Sequence, residues 1–324
     1  MRSTPLHNQR SGHRPLGHRP ISATGALLDF STLVPGSVVL VQDETVHASG
    51  SHKEPSAQLV AARAVADGYH EVVVASCGNY GRAMARACRN HTLRCTVVVP
   101  ADVHPVPDAL HVDLAEVHVA AGSYEDAVAR ATALASRRGA ADGNVVGSYE
   151  QEVLRGHELA MYALRDALPV SPTAVWLPIG NGTTVTGAHQ AILNLGWRSA
   201  IFGVTSAGNN PVQQSWPGPY SPILPHEVRI TAVNGPLANW HALHGPGAID
   251  AIARTGGEVL GVDDGELLHA RSLLCSHGPH PSPAGAAALA GLLQASRRRG
   301  FRHGVHIVLL SGAQSIRRSE SQRP

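Results

Sequence analysis

The sequence is almost without lysine. Its 324 residues include 26 lysines and arginines, and Lys53 is the only lysine among them. Arginine supplies positive charge equally well, but it does not lose its proton or form a Schiff base, whereas lysine does both. A single lysine in a chain otherwise built with arginine therefore suggests that Lys53 carries covalent chemistry.

The chain also has no marked excess of charge of either sign. The formal net charge is +2, and 15% of the residues are charged. Proteins that bind nucleic acids usually carry a strongly basic surface, which this balance does not provide. We expect no nucleic-acid partner.

Long apolar runs and paired cysteines are absent as well. No stretch approaches the roughly 20 apolar residues of a membrane-spanning helix, and the N-terminus has no apolar signal core. The four cysteines form no C-x-x-C pair, which argues against a zinc site. We expect a cytoplasmic protein with free thiols, without a bound metal or a membrane partner.

Residues 1–30 differ in composition from the rest of the chain. They are rich in Arg, His, Pro, Ser and Gly, and the sequence GHRP occurs twice, at 12–15 and 17–20. Such a segment buries too little apolar surface to offset the entropy lost on ordering. We expect a flexible arm over 1–30 and a short tail over 319–324. Metal capture by His13 and His18 is a less favoured alternative.

Apolar strand patterns alternate with helical patterns through the remainder. The predicted strands are 37–42, 71–76, 94–100, 115–121, 173–180, 200–206 and 303–312. The predicted helices cover about 55–67, 82–90, 123–139 and 282–300, with another after the loop that ends at residue 187. Such alternation is typical of α/β proteins with parallel sheets. We predict two three-layer domains with mostly parallel sheets, 31–155 and 156–318, and a ligand cleft between them.

Three polar loops follow predicted strands, at 76–81, 180–187 and 311–315. Ligands of parallel α/β proteins bind beyond the carboxyl ends of the strands. We therefore expect these loops to converge on one site.

The loop at 180–187, GNGTTVTG, is the candidate phosphate site. Gly180 and Gly182 allow close approach of the backbone, Thr183 and Thr184 offer hydroxyl groups, and a helix N-terminus follows. The loop matches neither G-x-G-x-x-G nor the Walker pattern, so a single phosphate is favoured over a nucleotide. A tight strand-to-helix turn without a ligand is the alternative. A phosphate site together with one special lysine suggests pyridoxal 5′-phosphate as the cofactor, bound by Lys53.

Five motifs carry a resemblance to a known family. They are ASGSHKEP, ASCGNYG, PIGNGTTVTG, HPSPAGAAALAGL and VLLSG, in this order along the chain. Together they resemble the motifs of the fold type II, or tryptophan synthase β-like, pyridoxal-phosphate enzymes. The threonine synthase branch is the most similar. The resemblance implies a homodimer with pyridoxal phosphate in the cleft between two domains.

The resemblance also implies roles for individual residues. Lys53 corresponds to the Schiff-base lysine that shuttles the Cα proton, Asn79 to the partner of the cofactor's 3′-oxygen, and Ser311 to the partner of the pyridine nitrogen. The phosphate would be held by Gly180, Asn181, Gly182, Thr183 and Thr184. The substrate carboxylate would be surrounded by Ser76, Cys77, Gly78 and Tyr80, with backbone N–H groups as donors. Tyr149 and Arg155 would also bind the substrate.

Ser311 bears on the type of reaction. A neutral hydroxyl group favours a protonated ring nitrogen less than a carboxylate would, so the ring is a weaker electron sink. That property suits elimination or replacement at Cβ or Cγ, as in threonine synthase, better than transamination. Specialised amino-acid biosynthesis is the setting we expect. Open alternatives are β-replacement on serine, O-phosphoserine or O-acetylserine, dehydration of serine or threonine, and a homologue that binds without turnover.

The chain departs from the family pattern at several positions. Glu54 and Pro55 stand where Asp and Arg are usual, Cys77 replaces Ser or Thr, and His280 replaces Glu. In the segment 150–156, Glu150 and Val153 occupy positions of the Asn and Arg that read substrate phosphate in threonine synthases. Because a carboxylate repels a phosphate dianion, phosphohomoserine is disfavoured unless Arg155 compensates.

Overall fold

The structure is a computed structural model that describes residues 25–76, 78–101 and 115–314. The expectations for residues 1–24, for Cys77 and for the tail fall outside these ranges. Within them, the expected flexible arm is wrong at its end. Ala26–Asp29 form a strand and Phe30 is buried, because this short apolar stretch can pair along the edge of a sheet.

The larger sheet has six strands. They are β1 Ala26–Asp29, β2 Val38–Asp43, β7 Ala174–Pro178, β8 Ala200–Ser206, β9 Glu258–Val262 and β10 Val305–Leu310. Their order across the sheet is β1-β2-β10-β7-β8-β9. The edge strand β1 is antiparallel to β2, and the other neighbouring strands are parallel. The inner strands β7 and β10 are almost wholly buried, as expected for a sheet covered on both faces.

The smaller sheet has four parallel strands. They are β3 Glu71–Ala75, β4 Arg94–Pro100, β5 Glu116–Ala120 and β6 Ala141–Asp142. Their order across the sheet is β5-β4-β3-β6. One mostly parallel and one parallel sheet confirm the predicted α/β class.

The described helices cover the faces of these sheets. They are α1 Glu54–Ala66, α2 Asn79–Asn90, α3 Tyr124–Arg138, α4 Glu150–Arg165, α5 Thr183–Asn194, α6 Pro211–Ser215, α7 Gly245–Thr255, α8 Asp264–Cys275 and α9 Ala287–Ser296. Helix α3 ends at Gly139, whose φ of 60° gives the left-handed cap that glycine favours. No helix in the described part of the chain is long and apolar enough to cross a membrane.

The sheets do not follow the two halves of the chain. β2, from the half that carries Lys53, pairs along its whole length with β10 at the end of the chain. The chain thus starts the larger sheet, builds the smaller one and then returns. The apolar sequence of β2 predicts a buried strand but not the sheet it joins. Where a domain boundary lies stays a prediction.

Three helices connect the two sheets through close backbone contacts. A Cβ atom on Gly156 of α4 would lie 2.3 Å from the backbone of Ser56 in α1, and one on Gly187 of α5 would lie 2.7 Å from the carbonyl oxygen of Leu154 in α4. The glycines therefore let α1, α4 and α5 pack closely. This packing brings the N-terminus of α1 near that of α5.

Candidate active site

Lys53 is half-buried at the N-terminus of α1, at the end of a tight loop, residues 49–53, which we call the lysine loop. The carboxylate of Glu54 accepts a hydrogen bond from the backbone N–H of Ser49 and so closes the loop. Pro55 occupies the first turn of α1, where the missing N–H group costs nothing. The two departures next to the lysine thus have local structural roles.

The lysine loop is fixed to the end of β10. The carbonyl oxygen of Ser311 accepts hydrogen bonds from the backbone N–H of His52 at 3.1 Å and from its ring Nδ1 at 2.6 Å. The backbone N–H of Ala313 donates to the carbonyl of Gly50 at 2.8 Å. Lys53 and Ser311, more than 250 positions apart in sequence, are neighbours for this reason.

The ring of His52 also reaches the candidate phosphate loop. Its Nε2 lies 3.1 Å from the hydroxyl oxygen of Thr184. Because Nδ1 faces a carbonyl oxygen, Nδ1 carries the hydrogen, and in the neutral ring Nε2 accepts one from Thr184. One buried side chain therefore links the loops of Lys53, Thr184 and Ser311.

Two buried imidazoles lie beside Lys53. Burial, and then the charge of Lys53, lower the pKa of His52 to about 3. Burial, followed by the charges of His52 and Lys53, also holds the pKa of His157 well below its usual range. The two rings are 5.1 Å apart. Both are neutral at physiological pH, and both lie within the electrostatic reach of the lysine ammonium group.

The candidate phosphate loop is a narrow backbone turn. A Cβ on Gly180 would lie 2.6 Å from the carbonyl oxygen of Pro236, and Gly182 has a φ of +85°. The backbone N–H of His244 donates to the carbonyl of Asn181 at 2.8 Å. Only glycine fits the first and the last of these three loop positions. The N–H groups of the first turn of α5 follow directly, an arrangement suited to an anion.

A second histidine holds Thr183. Its hydroxyl oxygen lies 3.0 Å from Nδ1 of His244, whose Nε2 lies 3.1 Å from Oε1 of Glu150. Burial lowers the pKa of His244, and the nearby Glu150 opposes that shift. Glu150, one of the departures from the family pattern, is thus connected to the loop through His244.

Asn79 lies on the other side of the lysine loop. Its Oδ1 accepts a hydrogen bond from Nη2 of Arg82 at 2.9 Å, and its Nδ2 lies 2.7 Å from where a Cβ on Gly312 would stand. Since arginine only donates, the oxygen of the Asn79 amide must face Arg82. Its nitrogen therefore faces Gly312, the residue after Ser311. Ser76 caps the same turn, because its hydroxyl accepts the N–H groups of Gly78 and Gly81.

Tyr80, expected to contribute its backbone N–H group, lies in the first turn of α2, and its hydroxyl donates to the carbonyl of Gly143. The side chains of Tyr149 and Arg155, both expected at the substrate, are not brought there. The hydroxyl of Tyr149 donates to Asp67, at the opposite end of α1 from Lys53, where Tyr149 lines a surface cavity of about 330 Å³. Arg155 is exposed on α4.

The reason for the difference at Arg155 is the rotation of its side chain about α4. On α4, the face with Val153, Gly156 and His157 is buried, and Arg155 points away from it. Arg155 therefore does not compensate for Glu150 at the loop. His280, another departure, is also exposed, although its neighbour Pro281 pairs with Ala313 at the end of β10.

Sequence reasoning missed His52, His157, His244 and Arg82. For His52 the signal was its position next to Lys53. For the other two histidines no pattern separated them from the 20 histidines of the chain. Arg82 lies one helical turn after Asn79, a spacing at which side chains on a helix meet.

Pyridoxal phosphate fits the groups assembled here. Lys53 supplies an amine for its aldehyde, the turn at 180–182 and the first turn of α5 supply a cradle for its phosphate, and Ser311 ends the strand beside both. By contrast, no group of three His, Cys, Asp or Glu that could hold a metal ion occurs in the ranges described.

Comparison with known proteins gives the class. Residues 26–312 match the family of pyridoxal-phosphate dependent enzymes, and the chain belongs to this family. Threonine synthase of Synechocystis is 29% identical over 301 residues, which cover 90% of this chain and 74% of that protein. Threonine synthase of Mycobacterium leprae is 25% identical, covering 80% and 72%. The solved structure of the T.th. threonine deaminase superposes with a TM-score of 0.76 at 23% identity, covering 92% of this chain and 94% of that one.

These comparisons confirm three predictions. The chain is a fold type II, tryptophan synthase β-like enzyme, its cofactor is pyridoxal 5′-phosphate, and threonine synthases are among its relatives by sequence.

Proposed function

We propose that this enzyme eliminates or replaces a substituent at Cβ or Cγ of a small amino acid. The observation that carries the proposal is the His52 ring, which links the loop of Lys53 to Thr184 and to the carbonyl of Ser311. When bound, the cofactor stabilises negative charge developed at Cα of an amino acid.

The residues then have distinct roles. Lys53 would hold the cofactor through its aldehyde, and its amine is placed to move the proton at Cα of the substrate. Thr183, Thr184 and the first turn of α5 hold the phosphate. Asn79 would donate to the cofactor's 3′-oxygen, and the hydroxyl of Ser311 would lie at its ring nitrogen without adding charge.

The substrate carboxylate is proposed to bind the first turn of α2. The N–H groups of Asn79 and Tyr80 lie there, where the helix itself offers no acceptor. Ser76 and Gly78 shape this turn, since Ser76 already accepts the N–H of Gly78. In this proposal Tyr80 contributes its backbone, because its side chain is used elsewhere.

The leaving group is proposed to be uncharged. The carboxylate of Glu150 stands behind His244 at the phosphate loop, and Arg155 points to solvent, so a second phosphate would meet negative charge. Although the threonine synthases are relatives by sequence, this arrangement favours a substituent that is uncharged in the substrate, a hydroxyl or acyloxy group, as on serine, threonine or O-acetylserine.

A substrate screen tests the proposal. The holoenzyme is incubated with L-serine, L-threonine, O-acetylserine, O-phosphoserine and phosphohomoserine, and ammonia, keto acid and amino-acid products are followed by mass spectrometry. We expect kcat/KM for an uncharged leaving group to exceed that for either phosphorylated substrate at least tenfold. A preference for phosphohomoserine would identify a threonine synthase instead.

The alternative from another class is a homologue that binds without turnover. A protein that stays colourless with added cofactor, lacking the band at roughly 410–430 nm expected of a lysine-bound pyridoxal, would support that alternative.

We further propose a cytoplasmic homodimer that serves amino-acid biosynthesis. Free Cys88, Cys95 and Cys275 are consistent with a reducing compartment. Exposed apolar side chains along the β1–β2 edge, at Leu27, Val38 and Val46, suggest a surface that a second copy covers. Sedimentation at several concentrations, in wild type and Val46→Glu, tests the dimer.

A further inference from the structure

Both threonine hydroxyls of the candidate phosphate loop face a histidine nitrogen. The oxygen of Thr183 lies 3.0 Å from Nδ1 of His244, and that of Thr184 lies 3.1 Å from Nε2 of His52. An anion bound by this loop would need hydrogen-bond donors, but both hydroxyl groups are already hydrogen-bonded to histidine ring nitrogens.

The direction of the hydrogen bond at Thr183 follows from Glu150. An ionised carboxylate only accepts, so Nε2 of His244, 3.1 Å from Glu150, carries the hydrogen. In the neutral ring Nδ1 then has a free lone pair and accepts from Thr183. The hydroxyl therefore gives its only hydrogen to His244 and presents lone pairs, which repel an anion, to the loop.

We propose that His244 takes up a proton when a phosphate group binds the loop, and that His244 and Glu150 together turn the Thr183 hydroxyl towards that phosphate. The inference rests on the proposed role of the loop in holding the cofactor phosphate. The proton comes from solvent and binds Nδ1. The doubly protonated ring donates to Glu150 and to Thr183, whose hydrogen is then free for the phosphate.

The groups around His244 support proton uptake there. Glu150 and His157 face it from α4, and Tyr220 packs against Gly245 at the start of α7. His157 and Tyr220 are neutral, so Glu150 is the charge that stabilises an imidazolium among these groups. A phosphate dianion adds negative charge on the other side and favours the same protonation.

His52 differs in this respect. Its Nδ1 faces a carbonyl rather than a carboxylate, and the charge of Lys53 lies next to it. The carbonyl stabilises an imidazolium less than a carboxylate would, and burial and the charge of Lys53 disfavour a second proton on His52. The proton taken up is therefore assigned to His244.

The test is calorimetric titration with pyridoxine 5′-phosphate, which carries the phosphate but no aldehyde for Lys53. At pH 8 a phosphate monoester is already a dianion, because its second pKa is about 6. Titrations in buffers of different ionisation enthalpy give the number of protons taken up. We expect close to one proton per site in wild type and less than half of that in Glu150→Gln.

Two further variants separate this role from a merely structural one. Thr183→Ser keeps the hydroxyl and should keep the uptake, whereas Thr183→Val should lose it. His189→Asn alters a half-buried histidine of α5 away from the loop and should match wild type. Circular dichroism confirms that each variant is folded.

The outcomes are distinguishable. Binding of the probe without proton uptake, or with equal uptake in wild type and Glu150→Gln, overturns the inference and leaves the phosphate loop in place. Failure of wild type to bind the probe overturns the proposed phosphate loop itself, and the inference with it. Loss of affinity as pH rises, up to tenfold per pH unit, accompanies the expected uptake.

Discussion

At the residue scale, His52 is the side chain on which the site depends most. Its backbone and ring donate to Ser311, and its other nitrogen meets Thr184, all within a buried environment. A buried polar group that loses its partners costs about 1–3 kcal/mol. The three loops would therefore separate more easily without this ring.

The first prediction concerns acid stability. The pKa of His52 is about 3 in the folded protein, below the value near 6.5 of an exposed histidine. Between these values the unfolded chain binds more protons, so the contribution of His52 is complete above pH 6.5 and is lost as the pH falls towards 3. The slope is up to about 1.4 kcal/mol per pH unit, and His157 adds in the same direction.

Urea unfolding at pH 7.5, 6 and 5 measures this effect. His52→Gln should show a shallower loss of unfolding free energy with acid than wild type does. His226→Gln, at an exposed position, should keep the wild-type slope. Equal slopes in His52→Gln and wild type would contradict the assignment.

The sequence indicates some site residues and not others for a physical reason. Lys53 is conspicuous as the only lysine, and Thr183 and Thr184 follow a buried strand directly. The direction of the Tyr149 side chain depends on how the chain enters α4, which a loop motif does not determine. A hydroxyl near a motif is therefore a weaker prediction than a backbone turn within it.

At the element scale, the turn before α5 is the most constrained segment of the site. Gly182 combines a φ of +85° with a backbone carbonyl 2.8 Å from where its Cβ would lie. Gly196, at the end of the same helix, has a φ of +66° but open space around its Cβ position. Comparing substitutions at the two glycines therefore separates the cost of backbone strain from the cost of a steric clash.

Gly182→Ala is predicted to destabilise the protein more than Gly196→Ala. A left-handed alanine costs roughly 1–2 kcal/mol at either position, and the contact with His244 adds to this cost at Gly182. We also expect Gly182→Ala to weaken binding of pyridoxine 5′-phosphate at least tenfold, with Gly196→Ala unchanged. Thermal unfolding and calorimetry measure both effects, and equal behaviour of the two variants would argue against the loop's role.

The contact between α1 and α4 yields another prediction. Gly156→Ala would place a methyl group 2.3 Å from the Ser56 backbone and should cost about 1–3 kcal/mol, as overpacking does. It should also lower cofactor affinity, because α1 positions Lys53. Arg155→Ala, one position away and exposed, should change stability by less than about 0.5 kcal/mol. A large loss of activity in Arg155→Ala would restore its predicted role at the substrate.

At the scale of the whole molecule, the cofactor is expected to stabilise the fold. Its proposed ligands come from the end of β10, from the N-terminus of α5 and from the lysine loop, so it should bind only the assembled structure. At 100 times Kd such binding adds about 2.7 kcal/mol. The thermal midpoint should rise with added pyridoxal phosphate in wild type and rise less in Lys53→Arg. An unchanged midpoint would show that these loops do not share a ligand.

The overall class was predictable because apolar strands and helices alternate along the chain. The membership of the sheets was not, since the pairing of β2 with β10 joins segments far apart in sequence. Local patterns predict that a strand is buried, whereas its neighbour is chosen by packing of the whole chain. The strand Ala26–Asp29 was not predicted, because the composition of residues 1–30 taken together indicated a flexible arm.

The central claim is that Lys53 binds pyridoxal phosphate covalently, and reduction tests it most directly. Holoenzyme treated with borohydride and digested should give a peptide in which Lys53 carries one pyridoxyl phosphate group, detected by mass spectrometry. Lys53→Arg should give no labelled peptide. Reduced cofactor that is entirely free after denaturation of the wild-type protein would contradict the account.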